Sequence, residues 1–198
     1  MRVSETVVPG AFVITPDQLR DERGVFYEGL RADVLECAVG RPFTPRQINY
    51  STSRRNTLRG LHSVTVPPGQ AKYVSCVRGA VHDVVVDLRV GSPAFGRHAI
   101  TRLDPASGSS VFVPEGVGHG FLALEDRTCV CYVLSTVHVP GTQIDIDPFD
   151  PELALPWGFR EPPLMSAKDA GATSVAKARA RGLLAEWPIP AVQARHPD

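Results

Sequence analysis

The chain has 198 residues, enough for one domain with a substantial core, and its 21 basic and 21 acidic residues leave no formal net charge. That balance excludes a basic field able to recruit nucleic acid or anionic lipid. Apolar residues make up 43% and charged residues 21%, as in ordinary globular proteins, and no apolar run nears the roughly 18 residues of a membrane-crossing helix.

Residues 11–14 form a short apolar strand candidate, closed by Thr15-Pro16-Asp17. A turn at residues 21–24 leads into residues 25–30, which read as a strand with Phe26 and Glu28 on one face. Residues 32–38 suit two turns of helix. Residues 43–50 read as extended, with Gln47 and Asn49 sharing a face. Next comes Arg59-Gly60-Leu61-His62, set between a polar run and the Pro67-Pro68-Gly69 turn. Plain strand alternation there puts Arg59 and Leu61 on one face, and Gly60 and His62 on the other.

From Gln70 the β signals become dense. Residues 71–77 end at an Arg78-Gly79 turn, and residues 80–88 give the clearest strand. In it Val84, Val86 and Leu88 share one face, and Asp83, Val85 and Asp87 the other. Residues 98–103, 110–113, 121–124 and 129–134 are further strands, separated by Gly, Pro and Asp turn signals. Short strands at this spacing predict an all-β sandwich or barrel. The tail is proline-rich and loop-like until residues 174–184, a helix capped by Ser174. From Pro188 onward the chain is expected to fray.

The N-terminal residues lack the apolar stretch of a secretory signal, so the cytoplasm is the expected compartment. Cys37, Cys76, Cys129 and Cys131 form no C-x-x-C pair and are expected to be reduced thiols rather than zinc ligands.

Chemistry concentrates in a few places. Pro114 to His119 spells P-x-G-x-x-H, which resembles the second motif of the cupin barrels. The position comparable to the first cupin motif holds His62-Ser63-Val64 and so lacks the paired histidines of a metal site. Read singly, His119 is a core histidine holding a turn, Lys72 an exposed strand start and Tyr132 a core packer.

Together the motifs carry more. R-G-x-F-x-E spans Arg23 to Glu28, Q-x-N spans Gln47 to Asn49, and R-G-L-H spans Arg59 to His62. P-P-x-Q-A-K follows at Pro67 to Lys72, D-V-V-V-D-L-R at Asp83 to Arg89, G-S-P-x-F-G at Gly91 to Gly96, and P-E-G-x-x-H-G-F at Pro114 to Phe121. This set closely resembles the dTDP-4-dehydrorhamnose 3,5-epimerase family, which acts on dTDP-4-keto-6-deoxyhexoses in rhamnose and antibiotic-sugar biosynthesis. The resemblance implies an all-β, cupin-type jelly-roll barrel with short peripheral helices, one domain over residues 1–185 and a tail over 186–198. It also implies a homodimer formed by exchange of N-terminal strands, a nucleotide-sugar substrate, and neither cofactor nor metal.

Residue by residue, the resemblance makes His62 the base, Asp169 the carboxylate that orients it, Tyr132 the acid on the opposite face and Lys72 the cation beside the C4 oxygen. Gln47, Asn49, Arg59, His119 and Lys168 become substrate contacts. Arg23, Phe26 and Glu28 become contacts made to the partner's site. His138, Gln143 and Ser63 depart from the family's usual tyrosine, glutamate and aromatic residue, and all three stand where base or sugar is expected to bind. A barrel that binds a nucleotide sugar without turning it over is the alternative, as is epimerisation at C3 alone rather than at C3 and C5.

Overall fold

The structure is a computed structural model that describes residues 1–189. Its strands are β1 (Arg2–Glu5), β2 (Phe12–Thr15), β3 (Leu19–Asp21), β4 (Gly24–Phe26), β5 (Gln47–Ser53), β6 (Leu58–Val64) and β7 (Lys72–Arg78). They continue as β8 (Val81–Asp87), β9 (His98–Leu103), β10 (Ser110–Val113), β11 (Val117–Ala123), β12 (Thr128–Leu134) and β13 (Gln143–Asp145). The helices are short: α1 (Ala32–Val39), α2 (Ala167–Ala170) and α3 (Val175–Ala180).

A six-stranded sheet runs β1-β2-β10-β7-β12-β5, and a five-stranded sheet runs β13-β6-β11-β8-β9. All the strand pairings in both are antiparallel, as the short strands and tight turns of the sequence predict. A separate hairpin joins β3 and β4. The fold is therefore all-β with a few short helices.

Alternation along β8 shows how the layers assemble. Val81 and Val85 face the space between the sheets, where they meet Val74, Val111 and Val130 of the six-stranded sheet. Val84 and Val86 face the other way and pack with Leu61, Trp157, Val175 and Leu184. So the C-terminal segment, poor in regular structure, covers the outer face of the five-stranded sheet. A third cluster sets Leu35 of α1 and Phe43 against Ile14, Tyr73 and Phe112 of the other sheet. Each such fully buried large apolar side chain is worth roughly 1.5–3 kcal/mol.

Four expected boundaries differ. The strand expected over 25–30 stops at Phe26. Beyond it the Tyr73 hydroxyl donates to the Gly29 carbonyl at 2.5 Å and holds the departing chain. The extended stretch expected from residue 43 becomes a strand only at Gln47. The strand expected over 121–124 starts at Val117 and so includes His119. The helix expected over 174–184 does begin at the Ser174 cap, whose side chain accepts from the Lys177 N–H, but it ends at Ala180. Gly182, at φ 63°, turns the chain, and Leu184 drops into the second core. Of the tail expected to fray from Pro188, residues 190–198 lie outside the described residues. Upstream of them the Trp187 N–H donates to the Val90 carbonyl at 2.8 Å.

The R-G-L-H stretch breaks simple alternation. In the β6–β11 pairing His62 lies opposite His119, and Arg59 lies opposite Phe121, so Gly60 and Leu61 together face Gly120. This is a β-bulge. It turns Arg59 and His62 to the same face, between the sheets, and sends Leu61 into the outer core with Leu58. The predicted split of Arg59 with Leu61 against Gly60 with His62 is thereby corrected. Only glycine fits the position: Gly60 has φ +120°, and a Cβ there would sit 2.6 Å from the Gly120 Cα.

Candidate active site

His62 enters the site from β6. Its Cα partner across the ladder is Asp145 of β13. A second carboxylate arrives from α2: Ser166 caps that helix by accepting from the Asp169 N–H at 3.0 Å, and this fixes where the Asp169 side chain points. Asp169 Oδ1 then lies 2.7 Å from His62 Nε2. Asp145 Oδ1 lies 3.7 Å from the same nitrogen.

Opposite stands the six-stranded sheet. Lys72, the first residue of β7, is only 9% exposed, and its Nζ donates to the His62 carbonyl at 3.4 Å. Tyr132 of β12 places its hydroxyl 3.2 Å from Ser51 Oγ on β5. The His119 and Tyr132 rings lie nearly perpendicular, with their centroids 6.1 Å apart. His62, Lys72, Ser51 and Tyr132 line one cleft of about 500 Å³.

The electrostatics follow from burial. Desolvation pulls the Lys72 ammonium down to about 8, although Asp83 and Asp145 act in its favour. The Tyr132 phenol is pushed well up by burial, and the neighbouring Ser51 hydroxyl and the Arg59 charge offset only part of this. For Asp169, burial acts upward, but the hydrogen bond and charge of His62, with Ser166 and Lys168, hold the carboxyl below its usual value. An ionised Asp169 makes Nε2 the protonated nitrogen of a neutral imidazole, so Nδ1 keeps the free lone pair.

Gln47, Asn49, His138 and Gln143 also line the cleft. Gln47 donates to Asn49 Oδ1 at 2.9 Å and accepts from the His138 N–H at 2.9 Å. Gln143 donates to Asp145 at 2.9 Å. Lys168 lies 2.9 Å from the same Asp145 oxygen. Arg59 donates to Ser53 Oγ at 3.1 Å. His119 is 3% exposed and bonds Asp83 Oδ2 at 2.7 Å through Nε2, so it packs against Tyr132 and does not itself line the cleft.

Arg23, Phe26 and Glu28 are not brought to this cleft. They sit at the exposed β3–β4 hairpin and just beyond it, with Phe26 67% exposed. Arg23 pairs with Asp21 at 2.5 Å, and Arg31 lies 3.7 Å from Glu28.

Sequence reasoning missed Ser51, Asp83 and Asp145 as neighbours of the site. Asp83 left a signal, an acid on the inward face of an apolar strand. Ser51 and Asp145 left none, since both sit in ordinary polar surroundings. His62, Asp145 and Asp169 offer ligand atoms within 4.8 Å of one another, a grouping that could hold a metal ion. Here Lys168 already balances Asp145, and the imidazole already bonds Asp169.

A carboxylate-paired imidazole, a phenol and a buried ammonium at one cleft make a constellation suited to acid–base chemistry. The fold and the site thus have the character of an acid–base enzyme. The family model for dTDP-4-dehydrorhamnose 3,5-epimerase matches residues 5–177. A dTDP-4-dehydrorhamnose 3-epimerase of Streptomyces niveus is 49% identical over 93% of this chain and 88% of its own. The dTDP-4-dehydrorhamnose 3,5-epimerase of Mycobacterium tuberculosis is 44% identical over 94% of each chain. The crystal structure of NovW, a 4-keto-6-deoxy sugar epimerase from the novobiocin gene cluster of Streptomyces spheroides, superposes with a TM-score of 0.91 at 48% identity, covering 94% of each chain. The chain belongs to the dTDP-4-dehydrorhamnose 3,5-epimerase family.

Proposed function

We propose that this protein epimerises a dTDP-4-keto-6-deoxyhexose at C3, or at C3 and C5, in the biosynthesis of a deoxysugar. The observation that carries the reading is His62 of one sheet, held by Asp169 of α2, facing Tyr132 and Lys72 of the other sheet across one cleft. Both C3 and C5 adjoin the C4 carbonyl, so loss of either proton gives an enolate. His62 Nδ1 takes the proton, and Asp169 steadies the imidazolium that forms. The Lys72 ammonium, held where water is scarce, stabilises the negative C4 oxygen. Tyr132 returns a proton from the other face and so inverts the carbon. Positioned acid–base groups of this kind contribute roughly 10²–10⁴-fold each.

Gln47, Asn49, His138 and Gln143 would hold the nucleotide and sugar along the cleft, with Arg59, His119 and Lys168 around them. The polypeptide would form one cupin-type jelly-roll domain through residue 185 and work in the cytoplasm as a homodimer. Arg23, Phe26 and Glu28 would then complete the partner's cleft. Their exposure on a hairpin away from their own cleft supports that arrangement.

The test is incubation with dTDP-4-dehydro-6-deoxyglucose in deuterated water, followed by NMR at C3 and C5. Solvent deuterium at C3, with or without C5, is expected. Its absence from both carbons overturns the reading.

A further inference from the structure

We infer that Ser51 is a positioning residue that resets Tyr132 between turnovers by carrying a proton to its phenolate. This rests on the acid role proposed for Tyr132. A one-way proton donor ends each inversion as an anion. His62 cannot recharge it, since the imidazole stands on the opposite sheet and has just taken the substrate's proton. Tyr132 therefore needs a proton source beside its own oxygen.

The geometry supplies one such route. Ser51 Oγ is 3.2 Å from the Tyr132 hydroxyl, and that is the hydrogen bond the phenol makes among the described residues. Ser51 is half-buried between the exposed Tyr50 and Thr52, lies on the edge strand β5 and lines the same cleft, so its hydroxyl links the phenol to a partly exposed edge of the sheet. Among the described residues, the rest of the phenol's surroundings offer no transferable proton at that oxygen. The His119 ring lies nearly perpendicular to the Tyr132 ring, and its Nε2 is occupied by Asp83. Arg59 is turned to Ser53. Burial also disfavours a lingering phenolate, which makes prompt return of the proton useful.

The step balances. Tyr132 gives its proton to the substrate carbanion, and the electron pair of the O–H bond stays on the phenolate oxygen. That oxygen takes the proton of Ser51 Oγ as Ser51 takes one from water. The imidazolium of His62 returns the substrate's original proton to solvent.

The test compares the first turnover with steady-state turnover in rapid-quench experiments, using wild type, Ser51→Ala and Ser51→Thr. Ser51→Ala should keep a first-turnover inversion within about threefold of wild type and lose at least about tenfold in steady-state rate. Ser51→Thr, which retains a hydroxyl, should restore turnover. Equal loss of both phases in Ser51→Ala, unchanged steady-state turnover, or failure of Thr to rescue would each overturn the relay. A wild-type protein with no epimerase activity would instead remove the functional reading beneath it.

Discussion

His62 Nε2 and Asp169 Oδ1 meet at 2.7 Å although the two residues are 107 positions apart in the chain. The carboxylate selects which ring nitrogen carries the hydrogen. Asp169→Asn keeps the shape but can no longer accept as an anion or balance the imidazolium. Its kcat for C3 inversion should fall by about 10²-fold or more, and His62→Ala should abolish deuterium exchange. An Asn variant with wild-type kcat would show that the pair does not steer the base.

Tyr132→Phe should separate two events that wild type couples. His62 can still remove the proton, so exchange into substrate persists, whereas inversion needs a donor on the far face. Deuterium uptake without change of configuration is the expected NMR signature. Equal loss of both would take the acid role from Tyr132.

Lys72 gives the site a pH limit. In the proposed mechanism its ammonium is the useful form, and burial brings its pKa down to about 8. In the free enzyme, kcat/KM should fall as pH rises through about 8, and Lys72→Arg should move that fall to higher pH. The same shift acts on folding. Between about 8 and the ordinary 10.5, the unfolded chain holds this proton more firmly, so the contribution of Lys72 to stability rises with pH across that window. Urea midpoints at either end, for wild type and Lys72→Met, check the sign.

Gly60→Ala strikes the bulge. The new methyl would meet the Gly120 Cα at 2.6 Å and the His119 carbonyl at 2.8 Å, on a backbone at φ +120°. A loss of about 2 kcal/mol or more is expected, together with most activity, because Arg59 and His62 would lose their common orientation. Thermal melts and the exchange assay together measure both effects.

The proposed dimer yields a complementation test. Arg23→Ala and His62→Ala homodimers should each be nearly inactive. After mixed refolding, each heterodimer would carry one intact site, giving about a quarter of wild-type activity. No recovery would place Arg23 outside the partner's cleft.

The sheet content was legible because turn residues punctuate short alternating strands, and β8 obeyed that rule along its whole length. The dyad partner Asp169 was legible only through resemblance, since no local pattern links a residue in a tetrapeptide helix to one on β6. Alternation misled at Arg59 and His62, where a bulge depends on the close approach of a second strand. Asp145 went unnoticed because β13 is three residues long and gains its meaning only by pairing with β6. The hairpin of Arg23 and Phe26 carries a family motif yet stands apart from its own cleft.

The segment that seals the outer face of the five-stranded sheet also delivers Asp169. During synthesis, the ribosome releases His62 long before Asp169, so a nascent chain could assemble nearly all its sheets and still lack the proposed pair. Competence would come on late, with the docking of the closing strap, and one protease nick between Asp147 and Ser166 could withdraw it while leaving the scaffold upright.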